Sequence, residues 1–132
     1  MALPPVALYH PWHVRDRAAV KAYVESLKDE AVEWLLALYV DESLNLLSVH
    51  AVGKGDVGSC AINLGKLYLF GKSIGAAAYL LVHNHPSGDP TPSATDVRVT
   101  QRLARLSAEL DLPLLDHFIV ARGGMQTVLA NA

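Results

Sequence analysis

Apolar residues recur along this chain at two spacings. Trp34-Leu35-Leu36-Ala37-Leu38-Tyr39-Val40 and Ala76 to Val82 are short, nearly unbroken apolar runs. Runs of that length read as strands buried on both faces. Leu47-Ser48-Val49-His50-Ala51-Val52 alternates with period two, as a strand with one wet face does. Leu114 to Ala121, Gly123-Gly124 and Met125 to Leu129 read as a closing hairpin. Between these lie helical spacings. Val20, Tyr23, Val24 and Leu27, behind a capping Asp16, predict a helix over 17–28. The strongest helix runs from Ser93 to about Leu110, with Val97, Val99, Leu103, Leu106 and Leu110 as its apolar side and Pro113 beyond its end. Residues 62–75 fit both periods: Lys66 to Phe70 has strand propensity, while Leu64, Leu67, Tyr68 and Ile74 share a helix face. Asp41-Glu42-Ser43 reads as a turn, and Gly53, Gly55 and Gly58 as a loop. The Pro-rich residues 1–15 read as an irregular arm.

Strands interleaved with helices imply an α/β domain, a mixed sheet covered by helices. The 132 residues fit one domain spanning 1–132, large enough to bury a core without disulfides or metals as staples. Formal charge is −2 with both signs interspersed, unlike the basic face of a duplex-binding domain. Arg98, Arg102 and Arg105 share one helix face, but the opposite side of that helix is apolar, so they read as a solvated face. DNA binding should be weak or absent. No apolar run reaches the ~18 residues of a membrane span, and the N-terminus lacks the basic and apolar regions of a signal peptide. Cys60 stands alone, which excludes an intrachain disulfide and makes the cytoplasm the expected compartment. That thiol reads as an inert small residue.

The chemistry is concentrated after Val82. His83-Asn84-His85-Pro86 is followed by Ser93 and then Asp96, giving His-x-His-Pro-x6-Ser-x-x-Asp. Side chains two apart at a strand end point to one side. Pro86 and Gly88 end the strand, and a helix starting at Ser93 puts Asp96 in its first turn. Alone, Ser93-x-x-Asp96 would read as a helix cap. Behind two histidines and a two-proline loop, Asp96 reads as a third ligand. Two imidazole nitrogens and one carboxylate oxygen suit Zn2+, with the fourth position open to water. Each imidazole needs its second nitrogen held by another group. Asp116 can serve there or be a buried structural carboxylate. His117, in an apolar strand, reads as a core histidine, and His10, His13 and His50 have no metal-ligand spacing.

The string His83 to Ser93 resembles the metalloprotease motif of the JAMM (MPN+) superfamily, and within it the RadC-like branch. Leu115-Asp116-His117-Phe118-Ile119-Val120 shares that likeness, which runs from about Glu33 to Leu129. The resemblance implies the three-layer α-β-α fold of the cytidine-deaminase-like type and a helix over 62–75. It also implies zinc held by His83, His85 and Asp96, and a glutamate base near an early core strand. Glu33 matches that position, with Glu30 and Glu42 as competitors. Ser93 would donate to the oxyanion. The activity implied is hydrolysis of an amide or isopeptide bond in a protein or peptide. The other readings are a non-catalytic interaction module and a DNA-associated hydrolase. Two features depart from the family. The residues before Glu33 do not read as the helix-hairpin-helix module of longer relatives, and Asn63-Leu64-Gly65 stands where relatives have a His-Pro-Arg-like stretch. His-Asn-His here is not the HNH nuclease signature, whose residues are far apart in sequence.

Overall fold

A computed structural model describes residues 25–54 and 62–129. The arm over 1–15, most of the helix expected over 17–28, Gly55, Gly58 and Cys60 lie outside the described residues. Five strands form one mixed sheet: β1 (Trp34–Val40), β2 (Leu46–Lys54), β3 (Ala78–Asn84), β4 (Leu114–Ala121) and β5 (Gly124–Thr127). The spatial order is β2-β1-β3-β4-β5. β3 pairs antiparallel with β1 and parallel with β4. A parallel pair needs a crossover, and the described helix α2 (Ala94–Glu109) lies within it. The ambiguous segment resolves as helix α1 (Leu64–Ser73), capped by the Asn63 side chain, which accepts from the Lys66 amide. Gly53 is no loop residue: β2 continues through it to Lys54.

The alternation of strand side chains divides the core by face. Leu36, Leu38, Val40, Leu80, Val82, Phe118 and Val120 lie on one face, against Leu27 of a 3-10 turn over Glu25–Asp29. Leu35, Ala37, Tyr39, Tyr79 and Leu81 lie on the other, under Leu67 of α1 and Leu103 of α2. The described residues thus have the mixed sheet and helical cover of a three-layer α/β fold.

The apolar side expected for α2 also needs correction. Leu106 of α2 and Leu110, its C-cap, are exposed, at 39% and 37%. The buried stripe of α2 is instead Asp96, Thr100, Leu103 and Ser107. Spacings of four, three and four keep these on one face. Three of them are polar, so each needs a partner inside.

Candidate metal centre

His83 is the sixth residue of β3 and is 1% exposed. It lies on the helix-covered face, beside Leu35 of β1 and Ile119 of β4. His85 is just past the strand, but its amide still donates to Val120 O, so the ladder fixes it too. The two rings meet edge to face, with centroids 4.7 Å apart. Between them Asn84 points to the opposite face. Its Oδ1 accepts from Trp34 N at 2.7 Å, and its Nδ2 donates to Val32 O at 3.0 Å. Those bonds bracket Glu33. The residue between the histidines therefore anchors the backbone that carries the glutamate.

The loop after His85 is held from two sides. Gly88 takes φ +91, a conformation that favours glycine. Its carbonyl accepts from Gly123 N at 2.8 Å. A Cβ on Gly123 would sit 2.6 Å from that oxygen, so the close approach requires glycine. The chain then enters α2 through a full capping box: Ser93 Oγ accepts from Asp96 N, and Asp96 Oδ2 accepts from Ser93 N at 2.9 Å.

That same Asp96 oxygen lies 3.3 Å from His85 Nε2, and Glu33 Oε2 lies 3.5 Å from His83 Nε2. Glu33, His83 and His85 each offer one ligand atom, all within 4.8 Å of one another. Asp96 is not a member of that group; its Oδ2 meets it only at His85 Nε2. Bonds of about 2.0–2.1 Å to a tetrahedral zinc place neighbouring ligand atoms roughly 3.3–3.4 Å apart. The His85–Asp96 separation fits that spacing and the Glu33–His83 one is slightly longer, and a set of imidazoles and carboxylates suits zinc.

The charges are coupled. The hydrogen bond to Asp96 raises the pKa of His85, against the opposing effect of burial. Burial alone would raise the Asp96 carboxyl. The hydrogen bonds from His85 and from the Ser93 amide outweigh it, holding Asp96 far below the usual carboxylate range. His85 Nδ1 lies 2.8 Å from the Asp89 carbonyl, which can only accept. Facing His83 Nδ1 at 3.3 Å is His117 Nε2, whose own Nδ1 lies 2.8 Å from Thr100 Oγ1. His117 is fully buried, and burial pushes its pKa down to about 3, so the ring is neutral.

His117 is thus a core residue that also touches His83. Asp116 takes the structural reading: its Oδ1 accepts from the amides of His117 and Leu129. Of the competing carboxylates, Glu42 sits in the turn at the far end of β1. Glu30 contributes its backbone carbonyl, 3.5 Å from Asn84 Nδ2. The described contacts of the Ser93 side chain lie at the helix cap. Sequence reasoning missed Asn84, Thr100 and the His83–His117 contact.

The sequence profile of the family described as RadC-like JAB domain matches residues 14–131. The chain is 37% identical to a UPF0758 protein of Bordetella avium (strain 197N), over 88% of this chain and 49% of the relative. It is 36% identical to one of Stenotrophomonas maltophilia (strain K279a), over 80% of this chain and 46% of the relative. A third, from Carboxydothermus hydrogenoformans (strain ATCC BAA-161 / DSM 6008 / Z-2901), is 38% identical over 67% of this chain and 39% of the relative. The chain therefore spans about half the length or less of these curated relatives.

Proposed function

The chain belongs to the RadC-like JAB domain family, and from that membership together with the site's geometry we propose that it is a zinc-dependent hydrolase of amide or isopeptide bonds in proteins or peptides. The observation that carries this is the grouping of Glu33, His83 and His85 at one end of the sheet, with Asp96 in contact with His85. His83, His85 and Asp96 hold the metal, and Glu33 is the base. Two carboxylates compete for the ligand role, and burial separates them. Asp96 is 1% exposed and pinned by the Ser93 amide. The Glu33 side chain is 24% exposed, so it can exchange protons with solvent.

A bound zinc ion would polarise the scissile carbonyl and bring the pKa of a ligated water to about 7. Glu33 would take the water's proton and pass it to the leaving nitrogen, as amide hydrolysis needs one group to do both. Asn84 would keep Glu33 in place by fixing the backbone on each side of it. The Ser93 hydroxyl, which accepts from Asp96 N, retains its own proton and would donate it toward the oxyanion.

The test is elemental analysis of protein purified without added metal. One zinc per chain is expected, with sharp loss in His85→Ala and Asp96→Ala and retention in Glu33→Gln. Full zinc in both alanine variants would remove the ligand assignment. Loss in Glu33→Gln with retention in Asp96→Ala would exchange the roles of the two carboxylates.

A further inference from the structure

We propose that His117 and Thr100 are positioning residues that hold the His83 imidazole in the one protonation pattern compatible with metal binding. The inference rests on the metal-site reading above. It concerns two residues that touch no substrate and coordinate nothing.

The three side chains form a line through the interior. His83 Nδ1 is 3.3 Å from His117 Nε2, and His117 Nδ1 is 2.8 Å from Thr100 Oγ1. His83 is 1% exposed, and His117 and Thr100 are 0% exposed. Water therefore has little access to substitute for either bond. The fold makes the line inevitable. β3 and β4 run parallel with Leu81 opposite His117, so His117 lies diagonally beside His83 on the same face. Thr100 follows Asp96 by one turn on the buried side of α2. One helix thus braces both histidines, through Asp96 at His85 and through Thr100 by way of His117.

Two proton patterns can run along this line, and metal binding at His83 Nε2 requires one of them. For His83 to offer its Nε2 lone pair, its proton must be on Nδ1, which must donate. His117 Nε2 can accept only if His117 carries its proton on Nδ1. That proton in turn goes to the Thr100 oxygen, which can accept it. In the reversed pattern Thr100 donates, His117 is protonated on Nε2, and His83 carries its proton on Nε2, where the metal should be. His85 does not face this choice, because a carbonyl holds its Nδ1. The Thr100 hydroxyl serves either pattern, and in the productive one its oxygen takes the His117 proton that would otherwise be buried without a partner.

Thr100→Val removes that acceptor while keeping the shape. A proton on His117 Nδ1 would then face a methyl group and lose its hydrogen bond, which is unfavourable inside a protein. The reversed pattern loses its Thr100 donor too, but it leaves only a bare ring lone pair on His117, whereas metal binding would have to impose an orphaned buried N–H there. Zinc affinity should fall by about 10–100-fold, the usual consequence of losing a group that orients a ligand. Thr100→Ser should restore it. Thr100→Ala serves as a second acceptor-free variant should valine disturb the helix.

The experiment is competition of the full chain, stripped of metal, against a chromophoric zinc chelator. The melting temperature of each metal-free form is measured alongside. Weaker zinc binding in Thr100→Val and Thr100→Ala, with Thr100→Ser near the parent, supports the proposal. A merely structural residue would lower the metal-free melting temperature and leave zinc affinity alone. That outcome would overturn the proposal while sparing the metal site, provided His83→Ala still abolishes binding. If the parent binds no zinc, both readings fall together.

Discussion

Against Tyr39 and Leu112, α1 packs with no space to spare, since a Cβ on Gly71 would lie 2.9 Å from a carbon of each. α2 meets the same face of the same sheet by hydrogen bonds. Three of its four buried positions are polar: Asp96 facing His85, Thr100 facing His117, and Ser107 facing Tyr79. The α1 contact is steric and dry, apart from the Tyr39 hydroxyl donating to Leu67 O. Such a contact fixes where a helix lies but offers no reactive group. The α2 contact carries the desolvation of several polar groups, and each is tolerable only because a partner meets it. Two of those partners are His85, at the candidate metal site, and His117, which touches His83. The chemistry of this fold follows its polar seam.

The sharpest way to break the comparison is Gly71→Ala. An added methyl there must displace the Tyr39 ring and Leu112, both buried. Overpacking of this kind typically costs about 1–3 kcal/mol, more than the ~1 kcal/mol that alanine adds to helix propensity. Thermal unfolding of the metal-free protein should show a lower melting temperature. Zinc affinity of the folded protein should stay at the parent value, because α1 supplies no ligand. A rise in melting temperature would mean that the α1 contact is looser than this packing implies.

An effect of similar size probes the other seam away from the metal. Tyr79 Oη and Ser107 Oγ make a short buried hydrogen bond. Ser107→Ala leaves the Tyr79 hydroxyl buried without that partner, which costs about 1–3 kcal/mol. Adding Tyr79→Phe removes the orphaned hydroxyl, so the double variant should recover much of the loss. Chemical denaturation of the single and double variants gives the coupling between the two sites. A double variant no more stable than Ser107→Ala would show that the seam is held by packing, as α1 is.

How much of this was legible in the sequence depends on which seam is read. The apolar runs located β1 and β3, and the period-two run located β2, because burial on one or both faces writes itself into hydrophobicity. The ligand string was legible because a strand end, a Pro/Gly turn and a helix cap lie close together in sequence. Thr100 and Ser107 were not, since an isolated polar residue in a helix looks the same whether it faces water or a buried partner. Tyr79 and Ser107 are 28 residues apart, and His83 and His117 are 34 apart. No local period carries such a pairing. Asn84 was hidden for the same reason: its partners lie some fifty residues upstream.

The smallest effect belongs to the outer face of α2. Arg98, Arg102 and Arg105 are exposed there and line an open hollow of about 400 Å³ with Val99 and Gln101. Three arginines could neutralise a few phosphates at most, on a chain whose formal charge is −2. Affinity for duplex DNA comes largely from such neutralisation and falls with salt in proportion to the number of phosphates contacted. Binding should therefore be weak, with a shallow salt dependence, and no tighter than the ~10⁻⁴–10⁻⁶ M of non-specific contacts at physiological salt. Replacing all three arginines with alanine should leave stability almost unchanged, since exposed substitutions away from caps and cores usually shift it by less than about 0.5 kcal/mol each. A salt titration with a short labelled duplex, parent beside triple variant, measures this. Sub-micromolar binding near physiological salt, lost in the triple variant, would make this outer face a second functional surface of α2 and favour a nucleic-acid substrate over a peptide one.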